Sequence, residues 1–126
     1  MIHGIGTDLV VIRRIEDALS RFGDRFLRRI LDQTEVNEYA KSAQPVRFLA
    51  KRFAVKEAFS KAYGSGIGDT VGWHDVTVSH DKLGRPLIQT SARLNDLLLA
   101  QGITEKHLTI TDETEHALAF VVLEKY

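Results

Sequence analysis

The run from Val46 to Tyr63 contains neither Gly nor Pro and is dominated by Ala, Lys, Glu, Phe and Leu. Such a composition favours a helix of about five turns. Advancing about 100° per residue, Ala54, Ala58, Ala62, Val55, Phe48 and Phe59 form one wide apolar sector, and Leu49 and Phe53 begin a second. A helix with two apolar sectors is embedded nearly all round, so the remaining chain must be organised about it. Glu57 and Lys61 fall between the sectors, beside Ala50 and Ala54. One reading is an i,i+4 pair worth about 0.3–0.5 kcal/mol of helix stability. The other places a carboxylate and an ammonium inside a functional site.

Ile2 to Ile12 reads as a first strand. Ile5, Leu9 and Val11 point one way, and Ile2, Gly4, Gly6, Asp8 and Val10 the other. Both faces are apolar or small, the pattern of a strand covered on both sides. Asp8 is the anomaly, because a carboxylate in such company must be neutral, paired, hydrogen-bonded or metal-bound. It is either an N-cap for the following helix or part of a site, with Gly4 and Gly6 leaving room on its face.

A helix from Val11 or Arg13 to Phe22 follows, with Ile12, Ile15, Leu19 and Phe22 inward and Gly23 ending it. Arg14 and Arg21 occupy its outer side, and a short second helix after Gly23-Asp24 extends the stripe through Arg25 and Arg28. This is a local basic patch, either a solvated face or a surface for an acidic protein partner. Thr34 is the expected N-cap, with Asn37 completing a weak box, for a segment ending near Ala43. Gln44-Pro45 closes it, and the long helix begins just after the proline. Gly64-Ser65-Gly66-Ile67-Gly68 ends that helix with a left-handed cap; a phosphate cradle would normally precede a helix.

The second half reads as mostly strand: Trp73 to His80, a turn at Asp81 to Pro86, and Leu87 to Thr90. Ser91 starts a Leu-rich helix that stops at Gly102. His107 to Thr111, a turn at Asp112 to Glu115, and Ala117 to Leu123 form a closing hairpin. Strands with separate helices give an α+β fold, a small mostly antiparallel sheet packed with helices. At 126 residues the chain is expected to form a single domain, residues 1–126.

Zero formal net charge provides no global field toward nucleic acid or membrane, and neither is an expected partner. The absence of cysteine excludes disulfides and Cys-ligated zinc. No signal peptide and no bilayer-length apolar run is legible, and a cytoplasmic location is expected. The five histidines lack metal-ligand spacing, and no Ser/His/Asp arrangement is legible. Asp8 and Glu57 remain. A few carboxylates from different elements, with open positions for water and phosphate oxygens, is how proteins hold magnesium. Lys61, one turn beyond Glu57, is placed to neutralise charge on a phosphoryl oxygen.

Gly4-Ile5-Gly6-Thr7-Asp8-Leu9-Val10, together with Arg52-Phe53-Ala54-Val55-Lys56-Glu57-Ala58-Phe59-Ser60-Lys61-Ala62, resembles the holo-[acyl-carrier-protein] synthases, the small class of 4′-phosphopantetheinyl transferases. The similarity spans essentially the whole chain, including Gly64-Ser65-Gly66, Gly84-Arg85-Pro86 and His107-Leu108-Thr109-Ile110-Thr111. It implies transfer of 4′-phosphopantetheine from coenzyme A to a serine of apo acyl carrier protein, releasing adenosine 3′,5′-bisphosphate. Asp8 and Glu57 match the family's Mg2+ ligands, and Lys61 matches the lysine that contacts the phosphates. Lys61, or an ordered metal-bound water, would take the serine proton; a lysine base needs a lowered pKa. Arg52, Ser60, Gly64, Arg85, His107 and Thr109 match positions lining the coenzyme A groove. Arg14, Arg21 and Arg25 match the surface that docks the carrier protein. The resemblance further implies a homotrimer with sites between subunits. Asp112 departs from the family, many of whose members have His there, so no role of that histidine carries over.

Two other readings compete. One is a different magnesium-dependent phosphoryl or nucleotidyl transferase. The other is an oligomeric binding module whose Arg-rich helix meets RNA or an acidic protein, although few aromatics accompany those arginines to stack on single-stranded bases.

Overall fold

The computed structural model describes residues 1–126. In chain order the elements are β1 (Ile2–Val11), α1 (Ile12–Phe22), α2 (Asp24–Ile30), α3 (Gln33–Lys41), α4 (Pro45–Tyr63), β2 (Val76–His80), β3 (Pro86–Thr90), α5 (Ala92–Ala100), β4 (Ile103–Asp112) and β5 (His116–Lys125). β1, β5 and β4 make an antiparallel sheet in the order β1-β5-β4, and β2 and β3 form a separate hairpin. The fold is α+β, as expected.

α4 is the centre. Pro45 occupies its first turn, where a missing N–H costs nothing, and Gly64 closes it at φ 110°, in the left-handed region. Leu49, Ala50, Ala54, Val55, Ala58 and Phe59 are completely buried along it. Against this helix lies the inner face of the sheet, where Ala117, Ala119, Val121 and Leu123 of β5 are also completely buried. Small residues let the backbones approach. A Cβ on Gly6 would fall 1.9 Å from the Ala58 carbonyl oxygen, and one on Gly4 would fall 2.0 Å from that of Ala62. Gly4, Gly6 and Asp8 share the face of β1 that meets α4, the register being Gly6 opposite Val121 and Asp8 opposite Ala119.

The other face of β1 is not covered within the chain: Ile5 and Leu9 are 57% and 61% exposed. The expectation of a strand buried on both sides therefore fails for the single chain. Sequence alternation reveals that both faces are apolar, but not whether the second is covered by the same molecule. Phe22 also differs from expectation. It is exposed, because Gly23 turns the chain at the end of α1 before the residue reaches the core.

α3 starts earlier than read from the sequence. Asp32, not Thr34, is the N-cap: its carboxylate accepts from the Glu35 N–H at 2.9 Å, and Glu35 accepts from the Asp32 N–H at 3.0 Å. This reciprocal box satisfies two helix-end donors and displaces the weaker Thr34–Asn37 pairing. β2 begins at Val76, since Gly72 and Asp75 close a turn by hydrogen bonds instead.

Candidate active site

β1 and α4 bring Asp8, Glu57 and Lys61 together. The Lys61 ammonium donates to the Thr7 carbonyl at 3.0 Å and to the Asp8 carboxylate at 3.2 Å. Asp8 is mostly covered, whereas Lys61 remains half exposed, so the ammonium sits at the mouth of the cluster. Lys61 thus reaches across to β1, and the expected Glu57–Lys61 helix pair does not form as an ion pair. Glu57 is partly buried. Burial pushes its carboxyl above the ordinary range, the neighbouring Asp8 charge pushes it further, and Lys61 offsets part of this. Two mutually repelling carboxylates with one ammonium beside them form a site of unmet negative charge.

A second group lies elsewhere on α4. Arg52 is almost completely buried, with its guanidinium stacked 4.5 Å from the Phe48 ring centroid and its Nε without a partner. Burial disfavours its charge, and Glu38 and Glu35 support it. Arg52, Lys51 and His80 border two adjoining hollows of about 440 and 180 Å³, the smaller also lined by Gly84, Pro86, Ile110 and Asp112. Arg85 stands in the same turn, held by backbone bonds to Asp81. Asp112 pairs with Arg47 at 3.4 Å, so the residue that departs from the family pattern has an ionic partner on α4.

The other expected residues are dispersed. Ser60 is fully buried and its hydroxyl donates to the Glu57 carbonyl at 2.8 Å, while its own carbonyl accepts the Gly64, Ser65 and Gly66 N–H groups. Gly64 is exposed at the end of α4. His107 and Thr109 lie opposite Val122 and Phe120 on the outer sheet face, with His107 bonded to Glu124. That is the face away from Asp8, so one chain does not unite them with the carboxylates. Arg14, Arg21 and Arg25 are exposed on α1 and α2 without an ion-pair partner, Arg21 lying 5.8 Å over the Phe22 ring centroid, whereas Arg28 is engaged by Asp24 at 2.8 Å.

Sequence reasoning passed over Lys56 and Glu35, the buried charges of the core. The Lys56 ammonium and the Glu35 carboxylate meet at 2.6 Å, both completely buried. An available signal was the spacing of Asp32 and Glu35, which makes a stronger capping box than Thr34 and Asn37. Lys51, Arg47 and His80 were also missed. Lys51 and Arg47 stand four residues apart on α4, a spacing that puts both on one side of the helix.

A sequence profile of the 4′-phosphopantetheinyl transferase superfamily matches residues 4–121. A holo-[acyl-carrier-protein] synthase of Nitrosospira multiformis is 52% identical over 125 residues, covering 99% of this chain and 100% of that protein. The crystal structure of the Neisseria meningitidis holo-[acyl-carrier-protein] synthase superposes with a TM-score of 0.96 at 45% identity, over 99% of this chain and all of that one. The Bacillus anthracis holo-(acyl-carrier-protein) synthase, in complex with CoA (3′,5′-ADP), superposes with a TM-score of 0.82 at 40% identity, over 100% and 99% of the two chains. With the profile covering nearly all of its length and relatives aligned end to end, the chain belongs to the 4′-phosphopantetheinyl transferase superfamily, among its holo-[acyl-carrier-protein] synthases.

Proposed function

We propose that this chain, acting as one domain over residues 1–126, transfers the 4′-phosphopantetheine group of coenzyme A to a serine hydroxyl of apo acyl carrier protein. The observation that carries the reading is the meeting of Asp8, Glu57 and Lys61 at the crossing of β1 and α4. The serine oxygen attacks the phosphorus on the pantetheine side of the diphosphate. The bridging P–O bond breaks, adenosine 3′,5′-bisphosphate departs with the bridging oxygen, and the serine proton is lost.

The donor set fits Mg2+. Asp8 and Glu57 offer hard carboxylate oxygens, their repulsion is relieved by a cation, and two carboxylates leave positions for water and phosphate oxygens. Bound between them, Mg2+ would neutralise and orient the diphosphate. Lys61, anchored at Thr7 and Asp8 with its ammonium half exposed, would contact the phosphoryl oxygens. Arg52 and the Gly84–Pro86 turn border a hollow suited to a polyanionic nucleotide portion, since a guanidinium is a strong phosphate partner. The exposed arginines 14, 21 and 25 present positive charge to an acidic carrier protein.

The assembly we propose is a homotrimer with sites between subunits. Its support is the uncovered apolar face formed by Ile5, Leu9 and Phe120, which also carries His107 and Thr109. A neighbouring copy seated there would cover that face and bring these two residues to another chain's carboxylates. No helix is long and apolar enough to cross a membrane. We place the reaction in the cytoplasm, a reducing compartment that a chain without cysteine fits. Incubation with coenzyme A, Mg2+ and apo carrier protein should add one phosphopantetheine mass to a single serine. No adduct across a range of metals and carrier proteins would overturn the proposal.

A further inference from the structure

Lys56 immediately precedes Glu57 yet points the other way, into the core. Its ammonium has three N–H groups and three acceptors: the Ile30 carbonyl at 2.7 Å, the Glu35 carboxylate at 2.6 Å and the Trp73 carbonyl at 2.7 Å. The three come from separate segments. Ile30 ends α2, where unpaired carbonyls favour a cation. Glu35 lies in the first turn of α3, where free N–H groups favour a carboxylate. Trp73 belongs to the connection leading into β2, and its ring packs 5.0 Å from that of Phe53 on α4. One ion pair therefore fills the gap between the end of one helix and the start of the next. Nothing else in the chain ties α2 to the middle of α4 through polar bonds.

We infer that Lys56 is a positioning residue: it fixes the carrier-docking helix α2, through the Ile30 carbonyl, in register with Glu57 on the next residue of α4. The inference rests on the proposed transferase reading. α2 carries Arg25, so movement of its end shifts the docked serine relative to the diphosphate. A displacement of about 1 Å at reacting atoms is enough to cost on the order of a hundredfold in rate. A buried pair is weak evidence of stabilisation by itself, because desolvation offsets much of the attraction. What sets this one apart is its geometry: every donor is used, and each holds a different segment.

The test compares Lys56→Met with the wild-type chain, with turnover expressed per folded molecule from circular dichroism at low temperature. The expected result is a fall in kcat of about 10- to 100-fold and a raised KM for apo carrier protein. Coenzyme A affinity, read by calorimetry, should change less than the carrier-protein KM: neither Ile30 nor Trp73 lines the Arg52 hollow, and Glu35, which supports the Arg52 charge, stays in place. A role confined to stability would lower Tm and leave kcat per folded molecule and both constants unchanged, which would overturn the inference. Should Lys56→Met not fold, Glu35→Gln decides. It keeps the shape and an acceptor oxygen but weakens one of the three bonds, so kcat per folded molecule should fall about threefold. An unchanged value there refutes positioning by Lys56. Failure of the transferase reading is separate, since the wild-type chain itself would then add no mass to the carrier protein.

Discussion

Gly6 and Ala58 meet backbone to backbone, with no space between them for even a methyl group: a Cβ on Gly6 would overlap the Ala58 carbonyl oxygen at 1.9 Å. Asp8, two residues along the same face of β1, is carried to Glu57 and Lys61 by this approach. Gly6→Ala must push strand and helix apart, because the new Cβ is held rigidly by the β1 backbone and the Ala58 carbonyl it meets is backbone, so neither can rotate away. We expect a loss of about 1–3 kcal/mol in stability by urea denaturation, together with weakened Mg2+-dependent transfer. Wild-type stability in this variant would mean that the strand can shift without strain.

The two carboxylates should fail independently. Asp8→Asn and Glu57→Gln are each expected to lower transfer by about a hundredfold or more in steady-state assays, and chelation of Mg2+ should abolish it in the wild-type chain. Full activity in both variants would remove the shared-cation arrangement.

Glu57 should be a liability for the metal-free fold. Burial and Asp8 raise its carboxyl above the ordinary value of 4.5, so the folded chain holds this proton more tightly than the unfolded one. Stability is then lost as pH rises through the interval between those two values, and the penalty is complete above it. In EDTA at pH 7, Glu57→Gln should melt at the same temperature as the wild-type chain or higher, and the difference should vanish in acid. A clear drop in Tm for this variant would contradict the assignment. In the proposed site the proton and the cation compete for one carboxylate, so apparent Mg2+ affinity should rise with pH across the same interval.

Charge reversal on α1 should affect one substrate only. Arg14→Glu with Arg21→Glu is expected to raise KM for the carrier protein about tenfold at low salt, with the difference shrinking as salt is added. Coenzyme A binding should be unaltered. An unchanged carrier KM would return these arginines to a plain solvated face.

Leu9→Glu should disrupt the proposed trimer. The residue is 61% exposed within one chain and leaves the core and the Asp8–Lys61 contact untouched. Light scattering should report a smaller particle, and transfer should fall with it. An active monomer would show that one chain holds a complete site.

The sequence by itself determined the helix about which everything packs. Freedom from Gly and Pro between Val46 and Tyr63, and two apolar sectors, follow from local propensity and period, which need no tertiary information. It also exposed Asp8 as a charge out of place, and the family motifs pointed to Glu57 as the second carboxylate of the proposed cation site. Tertiary structure decided the rest. Only folding could show that Lys61 turns to Asp8 instead of pairing with Glu57, because a contact across more than fifty residues has no local signature. The same holds for Lys56, which looks like any surface lysine until the end of α2, the start of α3 and the Trp73 carbonyl close around it. The apolar outer face of β1 was legible as apolar, yet a pattern of period two cannot say whose atoms cover it. Periodicity reports which residues share a face; what that face meets is set by packing between segments distant in the chain.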